Sequence, residues 1–410
     1  MSCYHPAYPS WNHDVHRPGS LRPVSAPIIG RHYRTGKPIE VAVGEGRITG
    51  VAELEGALSV DCLPWLAPGL VDLQVNGGWG LDLNTAPLCP DTVLQLTRKL
   101  QSQGVTSYCP TLITNSSVRL AEAASAIAKA VRLNPDAAEG IAGIHLEGPF
   151  LSREDGPRGA HPQQHIVSPD WEALSRWQEA ADGLIRIITL SPEWPGAAAF
   201  INRCSESGIL VSIGHTAATP EQIREAVAAG AVMSTHLGNG THLTLPRHPN
   251  YLWEQLAADE LYGCMIADGH HLPLSVLAVI LRMKGGRAIL VSDAVSLSGM
   301  PPGYYHLHIG GDVVLTAEGR LHLAGQPELL AGSAMMLPDQ VGYLVEAGLS
   351  GLADVWNCAS VHPARLLGLE QAAGLKVGAP ADVVSFNLDG GKLRVLQCWK
   401  NGRISPQSRE

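Results

Sequence analysis

Eight short apolar segments alternate with helical stretches, and this alternation constrains the fold more than any other feature. The segments are GLVDLQV, VTSYCPTLI, GIAGIHLEG, LIRIITLSP, ILVSIGH, AVMSTHL, YGCMIAD and AILVSDA. Helical patterns near residues 91–103 and 118–133 follow the first two. Strands that alternate with helices predict βα units and a parallel sheet. Eight units spread over roughly 300 residues match the size of a (β/α)₈ barrel, so we predict an α/β fold of that class.

Both ends of the chain have a different pattern, with short β-type runs interrupted by glycines. They read EVAVGEGRITGVAELEG near the start and ADVVSFNLDGGKLRVLQCWKNGRI near the end. We expect residues 23–66 and 375–410 to meet as one small β-sandwich domain, and residues 67–374 to form the barrel. Residues 1–22 are polar and rich in proline and histidine, which indicates an irregular arm.

Charge and hydropathy exclude several classes of partner. The 29 Lys and Arg against 38 Asp and Glu give a net charge of −9. No basic run is present, so we expect no binding to nucleic acid or to an anionic membrane. No apolar run approaches the roughly 20 residues of a transmembrane helix. The first residues lack the basic and apolar regions of a signal peptide. The eight cysteines form no C-x-x-C pair, and we expect reduced thiols and a cytoplasmic protein.

Polar residues stand at the carboxyl ends of the predicted strands, although buried strands are usually apolar along their whole length. In a parallel barrel the carboxyl ends of the strands open onto one mouth, where active sites lie. We therefore expect side chains that are far apart in sequence to converge there. These residues are Gln74, Asn76, His145, Glu147, His215, His236 and Asp293.

One carboxylate and two imidazoles of this set suit a divalent metal ion with a position left for water. They are Glu147, His215 and His236. A metal ion can lower the pKa of bound water to about 7, and Asp293 could accept that water's proton. A structural histidine at a strand end is an alternative for each position, and spacing alone leaves both readings open. Buried charges without a role are costly, which favours a function.

Nine segments together resemble one known family. In chain order they are APGLVDLQVNGGWG, IHLEGPFL, GAHP, SIGHTAATPEQIREAVAAGA, STHLGNG, IADGHH, LVSDA, LAGS and VHPARLLGL. They are similar to the N-acetylglucosamine-6-phosphate deacetylase family of the amidohydrolase superfamily, from about residue 40 to residue 404. The resemblance implies a distorted (β/α)₈ barrel with a small β-sandwich built from both chain ends.

The resemblance also implies a catalytic set. It places Glu147, His215 and His236 at the metal-ligand positions, and Asp293 at the general acid/base. Much of the superfamily has His-x-His after the first strand to bind a second metal, whereas this chain has Gln74 and Asn76. Neutral amides are poor zinc ligands, so these are vestigial second-metal positions. We expect one divalent ion per subunit, with zinc favoured and iron, manganese and cobalt open.

Substrate contacts carried over from the family involve nine residues. They are Ala160, His161, Asn239, Gly240, Arg247, His271, Leu330, Ala331 and Gly332. His161 would reach sugar hydroxyls or the amide, and the backbone N–H groups of Asn239 and Gly240 would face a phosphate. Arg247 would bind that phosphate across a dimer interface, which implies a homodimer. Arg247 could instead be an ordinary surface residue, and His271 a structural histidine.

The chain departs from the family beside the last ligand. Gly238 and Thr241 stand where the family has Tyr and Met. His306, His308 and His322 lie in an atypical segment, where we expect the solvent face of a hairpin; His242 and His248 should also face solvent. The leading prediction is deacetylation of N-acetylglucosamine 6-phosphate to glucosamine 6-phosphate and acetate in amino-sugar catabolism. N-acetylgalactosamine 6-phosphate, an unphosphorylated N-acetyl sugar and a non-catalytic binding role are the alternatives.

Overall fold

The computed structural model describes residues 26–55, 62–307 and 311–405. The strands are β1 Ile28–His32, β2 Pro38–Gly44, β3 Arg47–Glu53, β4 Trp65–Pro68, β5 Leu70–Val75, β6 Gly77–Gly78, β7 Leu81–Asp82, β8 Val105–Ile113, β9 Ile144–Glu147, β10 Ile185–Leu190, β11 Leu210–Ile213, β12 Ala231–Ser234, β13 Tyr262–Met265, β14 Ala288–Leu290, β15 Gly303–Leu307, β16 Gly311–Leu315, β17 Leu321–Leu323, β18 Gln326–Leu330, β19 Val383–Asp389, β20 Lys392–Lys400 and β21 Arg403–Ile404. The helices are α1 Pro90–Ser102, α2 Ser117–Leu133, α3 Pro135–Gly140, α4 Trp171–Ala180, α5 Ala197–Glu206, α6 Pro220–Ala228, α7 Tyr251–Ala257, α8 Leu274–Lys284, α9 Leu337–Glu346, α10 Leu352–Cys358 and α11 Val361–Leu366.

Eight parallel strands, β5 and β8 to β14, form one sheet in chain order. All eight predicted segments are strands of this sheet. The sheet nearly closes on itself, because Val75 at the end of β5 bridges Ala294 after β14. The N–H of Asp293 also donates to the carbonyl of Gln74 at 3.0 Å. The predicted (β/α)₈ barrel is confirmed, and the carboxyl ends of its strands share one mouth.

Helices follow most barrel strands, and local sequence signals start them. The side chain of Ser116 accepts the N–H of Arg119 at the start of α2. Thr219 and Gln222 form a reciprocal capping box at the start of α6. The apolar faces of the helices join the strands in one large buried cluster. The helices predicted near 91–103 and 118–133 are confirmed. Among the described residues no helix is both long and apolar enough to cross a membrane.

Strands from both chain ends form a second, seven-stranded mixed sheet, in the order β21-β20-β19-β4-β1-β2-β3. This confirms that the two ends meet in one β-structure. Trp356 of α10 stacks on Phe386 of β19 with ring centroids 4.4 Å apart and donates to the carbonyl of Pro68 at 2.8 Å. These contacts fix the sheet against the barrel. The predicted domain boundaries stay a prediction, and the proposed arm at 1–22 lies outside the described residues.

A four-stranded antiparallel sheet, β15 to β18, is inserted between β14 and α9. The sequence predicted only a hairpin here. His306 is exposed and its Nδ1 lies 2.8 Å from Asp312 Oδ1, as expected for a solvent face. His322 is half-buried, and its Nδ1 lies 2.9 Å from the carbonyl oxygen of Leu323. His308 lies outside the described residues. The inserted sheet matters because several of its residues line the pocket at the barrel mouth.

Candidate active site

Three buried side chains from three strand ends converge at the barrel mouth. Glu147 ends β9, while His215 and His236 each lie two residues beyond β11 and β12. Glu147 Oε1 is 3.2 Å from His215 Nε2 and 3.0 Å from His236 Nε2, and the two Nε2 atoms are 3.1 Å apart. The group is thus a tight triangle of potential ligand atoms.

The chemistry of this triangle fits a metal ion. Ligands about 2.0–2.1 Å from a tetrahedral ion lie roughly 3.3 Å from one another, close to the observed separations. His215 Nδ1 lies 2.8 Å from the carbonyl oxygen of Pro157, so Nδ1 carries the proton and the Nε2 lone pair points to the centre. The three residues therefore form a buried group able to hold a metal ion.

The backbone at three of the site's residues lies in the left-handed region. His215 has φ +49°, His236 has φ +25° and Asp293 has φ +48°. Such conformations cost about 1–3 kcal/mol each in non-glycine residues and persist where the surrounding structure enforces them. The strand ends are therefore held in an arrangement that aims these side chains inward at the expense of stability.

The electrostatics of the triangle favour a charged carboxylate. Burial, the largest effect, acts to raise the pKa of Glu147, but hydrogen bonds and attraction from His215 and His236 outweigh it and lower the pKa well below its usual value. For His236, burial acts to lower the pKa, and contact with Glu147 raises it above the ordinary value. The ionised Glu147 is thus ready to bind a cation.

Asp293 lies beside the triangle and is held by two amide side chains. Its Oδ1 accepts hydrogen bonds from Asn76 Nδ2 at 2.8 Å and from Gln74 Nε2 at 3.1 Å. Gln74 Nε2 also donates to Glu147 Oε1 at 2.9 Å. Burial first, and repulsion from Glu147 second, raise the pKa of Asp293 to about 6. The positions predicted as vestigial metal sites thus act as hydrogen-bond donors that orient the two carboxylates.

His161 and Gly240 pack directly on the His215 ring. His161 Nε2 lies 3.3 Å from His215 Nε2, and its Nδ1 lies 3.0 Å from Thr114 Oγ1. Burial, followed by the neighbouring His215, lowers the pKa of His161 to about 3, so this imidazole is neutral. A Cβ on Gly240 would lie 2.7 Å from His215 Nδ1. Only glycine fits there without displacing the ring.

A cavity of about 630 Å³ opens above this group. Eight of the nine predicted substrate contacts line it: Ala160, His161, Asn239, Gly240, His271, Leu330, Ala331 and Gly332. Arg247 does not line it and is exposed. His271 is oriented by Asp268, whose Oδ2 lies 2.7 Å from its Nδ1. Burial acts to raise the pKa of Asp268, but the hydrogen bond with His271 outweighs it and lowers that pKa.

In the loop after His236, the backbone N–H of Asn239 is not directed as predicted. The N–H of Asn239 donates to the carbonyl of His236 at 2.9 Å, inside a tight turn, so it does not face a ligand. The Nδ2 of Asn239 is buried with no hydrogen-bond partner among the described residues. The N–H of Gly240 donates to no acceptor in the described part of the chain. This loop therefore offers the amide side chain of Asn239 and the backbone of Gly240.

Two histidines have surroundings that differ from those the sequence predicted. His145 is fully buried, and its Nδ1 and Nε2 lie 2.9 Å from the carbonyl oxygen of Leu73 and 2.7 Å from Thr189 Oγ1. It is a satisfied core residue outside the pocket. His242 faces solvent only in part: its side chain is half-buried, its Nδ1 lies 3.0 Å from Tyr251 Oη and its Nε2 lies 2.9 Å from Glu154 Oε2.

Sequence reasoning missed several pocket residues. Asp82, Asn84, Arg320 and Glu328 all line the cavity. Asp82 ends the short strand β7 and Asn84 lies in the turn that follows, a hairpin whose path the sequence does not show. The other two belong to the inserted sheet, and no motif at Arg320 signalled that its turn reaches the barrel mouth.

Comparisons with known proteins identify the family of this architecture. Residues 65–405 match the model of the Amidohydrolase family. N-acetylglucosamine-6-phosphate deacetylase of Lysinibacillus sphaericus is 32% identical over 376 residues, covering 90% of this chain and 94% of the relative. N-acetylgalactosamine-6-phosphate deacetylase of Escherichia coli O157:H7 is 30% identical over 374 residues, covering 89% and 94%. A mutant N-acetyl-D-glucosamine-6-phosphate deacetylase of Mycobacterium smegmatis, solved in complex with N-acetyl-D-glucosamine-6-phosphate, superposes with a TM-score of 0.80 at 29% identity, covering 93% of this chain and all of that one.

Proposed function

The chain belongs to the amidohydrolase family, and on that premise we propose that it deacetylates N-acetylglucosamine 6-phosphate to glucosamine 6-phosphate and acetate. The observation that carries the proposal is the buried Glu147, His215 and His236 triangle with Asp293 beside it. The proposal keeps the cytoplasmic place in amino-sugar catabolism that the sequence predicted.

Glu147, His215 and His236 would hold one divalent metal ion, and zinc suits two imidazoles and one carboxylate best. Iron, manganese and cobalt are compatible with the same donors. A bound metal ion polarises a carbonyl oxygen and lowers the pKa of water at the site. Gln74 and Asn76 donate hydrogen bonds where other members of the superfamily bind a second metal, which supports one ion per subunit.

Asp293 is the proton carrier in this proposal. Its Oδ1 is occupied by the two amides, while Oδ2 makes no hydrogen bond within the described residues. Oδ2 therefore accepts the proton of the water that adds to the acetamide carbon. The same oxygen then delivers the proton to the sugar nitrogen as the C–N bond breaks. A pKa of about 6 suits both transfers near neutral pH.

The other pocket residues would orient the substrate. His161 is neutral and adjacent to the metal ligands, a position that suits the amide end rather than distant sugar hydroxyls. The Nδ2 of Asn239 and the N–H of Gly240 would donate to the phosphate. Ala160, His271 and the segment 330–332 would line the sugar. Exposed Arg247 would reach the phosphate of a second subunit, and this part of the proposal requires a homodimer.

Acetate release by metal-loaded protein tests the proposal, with N-acetylglucosamine 6-phosphate, N-acetylgalactosamine 6-phosphate and unphosphorylated N-acetylglucosamine compared side by side. We expect the highest kcat/KM for the phosphorylated gluco sugar. Hydrolysis of none of them by metal-loaded protein would refute deacetylation and favour a binding role.

The galacto sugar is the second candidate because of one local feature. Gly238 and Thr241 are small where the family has larger residues, and both line the pocket beside Asn239 and Gly240. A wider pocket there bears on which ring epimer fits. Preference for the galacto sugar would keep the mechanism and change the substrate.

A further inference from the structure

The inserted sheet brings one arginine into the pocket. Arg320 ends the turn that joins β16 to β17, directly after Gly319, which has φ +82°. The N–H of Thr316 donates to the carbonyl of Arg320 at 2.9 Å, and the N–H of Arg320 donates to Thr316 Oγ1 at 3.2 Å. The turn is therefore well defined, and Arg320 lines the cavity above the metal group.

Contacts place this turn close to the loop proposed to bind phosphate. Gly238 packs so closely on Leu272 that an added Cβ would lie 2.9 Å from Leu272 Cδ2. His270, two residues before Leu272, has its Nε2 3.2 Å from the carbonyl oxygen of Glu318 in the turn. The loop 238–240, the segment 268–272 and the turn 316–320 thus follow one another around the mouth.

The cavity lining that the structure describes carries one arginine among several carboxylates. Among the described residues that line the cavity, Arg320 is the one lysine or arginine, against the carboxylates of Asp82, Glu147, Asp293 and Glu328. The guanidinium of Arg320 makes no ion pair within the described ranges, so it remains available. A guanidinium offers paired N–H donors that match phosphate oxygens.

We propose that Arg320 binds the 6-phosphate of the substrate from within the same protomer and sets the preference for phosphorylated over neutral sugars. This inference rests on the proposed function. The inserted sheet then serves as a specificity element, because it carries a phosphate ligand that does not depend on a second subunit. Arg247, which is exposed and outside the pocket of its own protomer, would add to this contact rather than replace it.

The test compares R320Q and R320K with R282Q, a matched control that removes an exposed arginine on α8 without an ion pair or hydrogen bond in the described structure. Metal-loaded proteins are assayed on N-acetylglucosamine 6-phosphate and on N-acetylglucosamine. A charge-assisted hydrogen bond contributes enough that R320Q should raise KM for the phosphorylated sugar about tenfold or more. In R320Q, the kcat for the phosphorylated sugar and the kcat/KM for the neutral sugar should each change less than twofold. R320K should recover part of the loss, and R282Q should match the wild type.

Calorimetric titration of the same proteins with inorganic phosphate supplies a readout independent of turnover. R320Q should weaken phosphate binding about tenfold or more, while R282Q should not. Equal losses on both sugars, or equal phosphate affinity in R320Q and wild type, would overturn the inference. Wild-type protein that hydrolyses neither sugar would instead refute the proposed function, and the phosphate titration would then decide the role of Arg320 alone.

Discussion

Replacing Gly240 with alanine should lower the affinity of the site for metal, beyond the modest loss of folding stability that an alanine at positive φ causes anywhere. Gly240 has φ +61°, and a Cβ there would lie 2.7 Å from Nδ1 and 2.9 Å from Cε1 of His215. Carbon and nitrogen atoms in ordinary contact are about 3.5–4.0 Å apart, so the ring or the loop must move by roughly 1 Å. That shift would disturb the 2.8 Å hydrogen bond from His215 Nδ1 to Pro157.

The expected loss of metal affinity follows from how little a metal site tolerates changes in ligand distance. Ligand distances hold within about 0.2 Å, and loss of a supporting contact typically costs 10–100-fold in metal affinity. Gly348 supplies the matched control, because it has φ +66° and a Cβ there would meet nothing within 4 Å. G348A should therefore carry the same left-handed backbone cost of about 1–2 kcal/mol without touching the site.

Metal affinity is measured by competition with a chromogenic chelator, and the free energy of unfolding of the metal-free proteins by urea titration. We expect a similar loss of stability in G240A and G348A, with a metal Kd at least about tenfold higher in G240A alone. Wild-type metal affinity in G240A, or an equal loss in G348A, would refute the role assigned to the His215 ring.

Three further predictions concern carboxylates. D293N should bind metal normally and lose acetate release by about 10²–10⁴-fold, and undiminished turnover would sink the proton-transfer assignment. N76L removes a hydrogen bond that lowers the pKa of Asp293, so the acid limb of the pH–rate profile should move to higher pH; an unmoved limb would contradict this. Burial raises the pKa of Asp72 from 3.8 to about 7, so the folded state retains a proton that the unfolded state loses. The free energy of unfolding of metal-free wild type, measured relative to that of D72N, should therefore fall as pH rises from about 4 to 7; identical slopes of the two proteins in urea titrations would argue against it.

The barrel and its site positions were predictable because their signals are local. A buried parallel strand reads as a short apolar run, and a charged side chain such as Glu147 at its end has few structural uses. The convergence of Glu147, His215 and His236 follows from barrel geometry once the strands are placed, because all three lie at the carboxyl ends of strands. The direction of each side chain, set by positive φ at His215, His236 and Asp293, was not readable from the sequence.

The inserted sheet was less predictable because long-range packing determines its position. The residues between Asp293 and Leu330 indicated strands, but the pairing of β15 to β18 and their place over the mouth depend on contacts such as His270 with Glu318. The histidines of that segment were its most noticeable feature in the sequence, yet His306 faces solvent. Arg320, in the same segment, lines the pocket.

One measurement tests the central claim most directly. Protein stripped with a chelator is titrated with zinc while acetate release from N-acetylglucosamine 6-phosphate is followed, beside an E147Q variant. The account predicts no activity without metal, a rise that saturates at one equivalent per chain, and little recovery in E147Q. Full activity of the metal-free protein, or a requirement for two equivalents, would contradict the single-metal site at the barrel mouth.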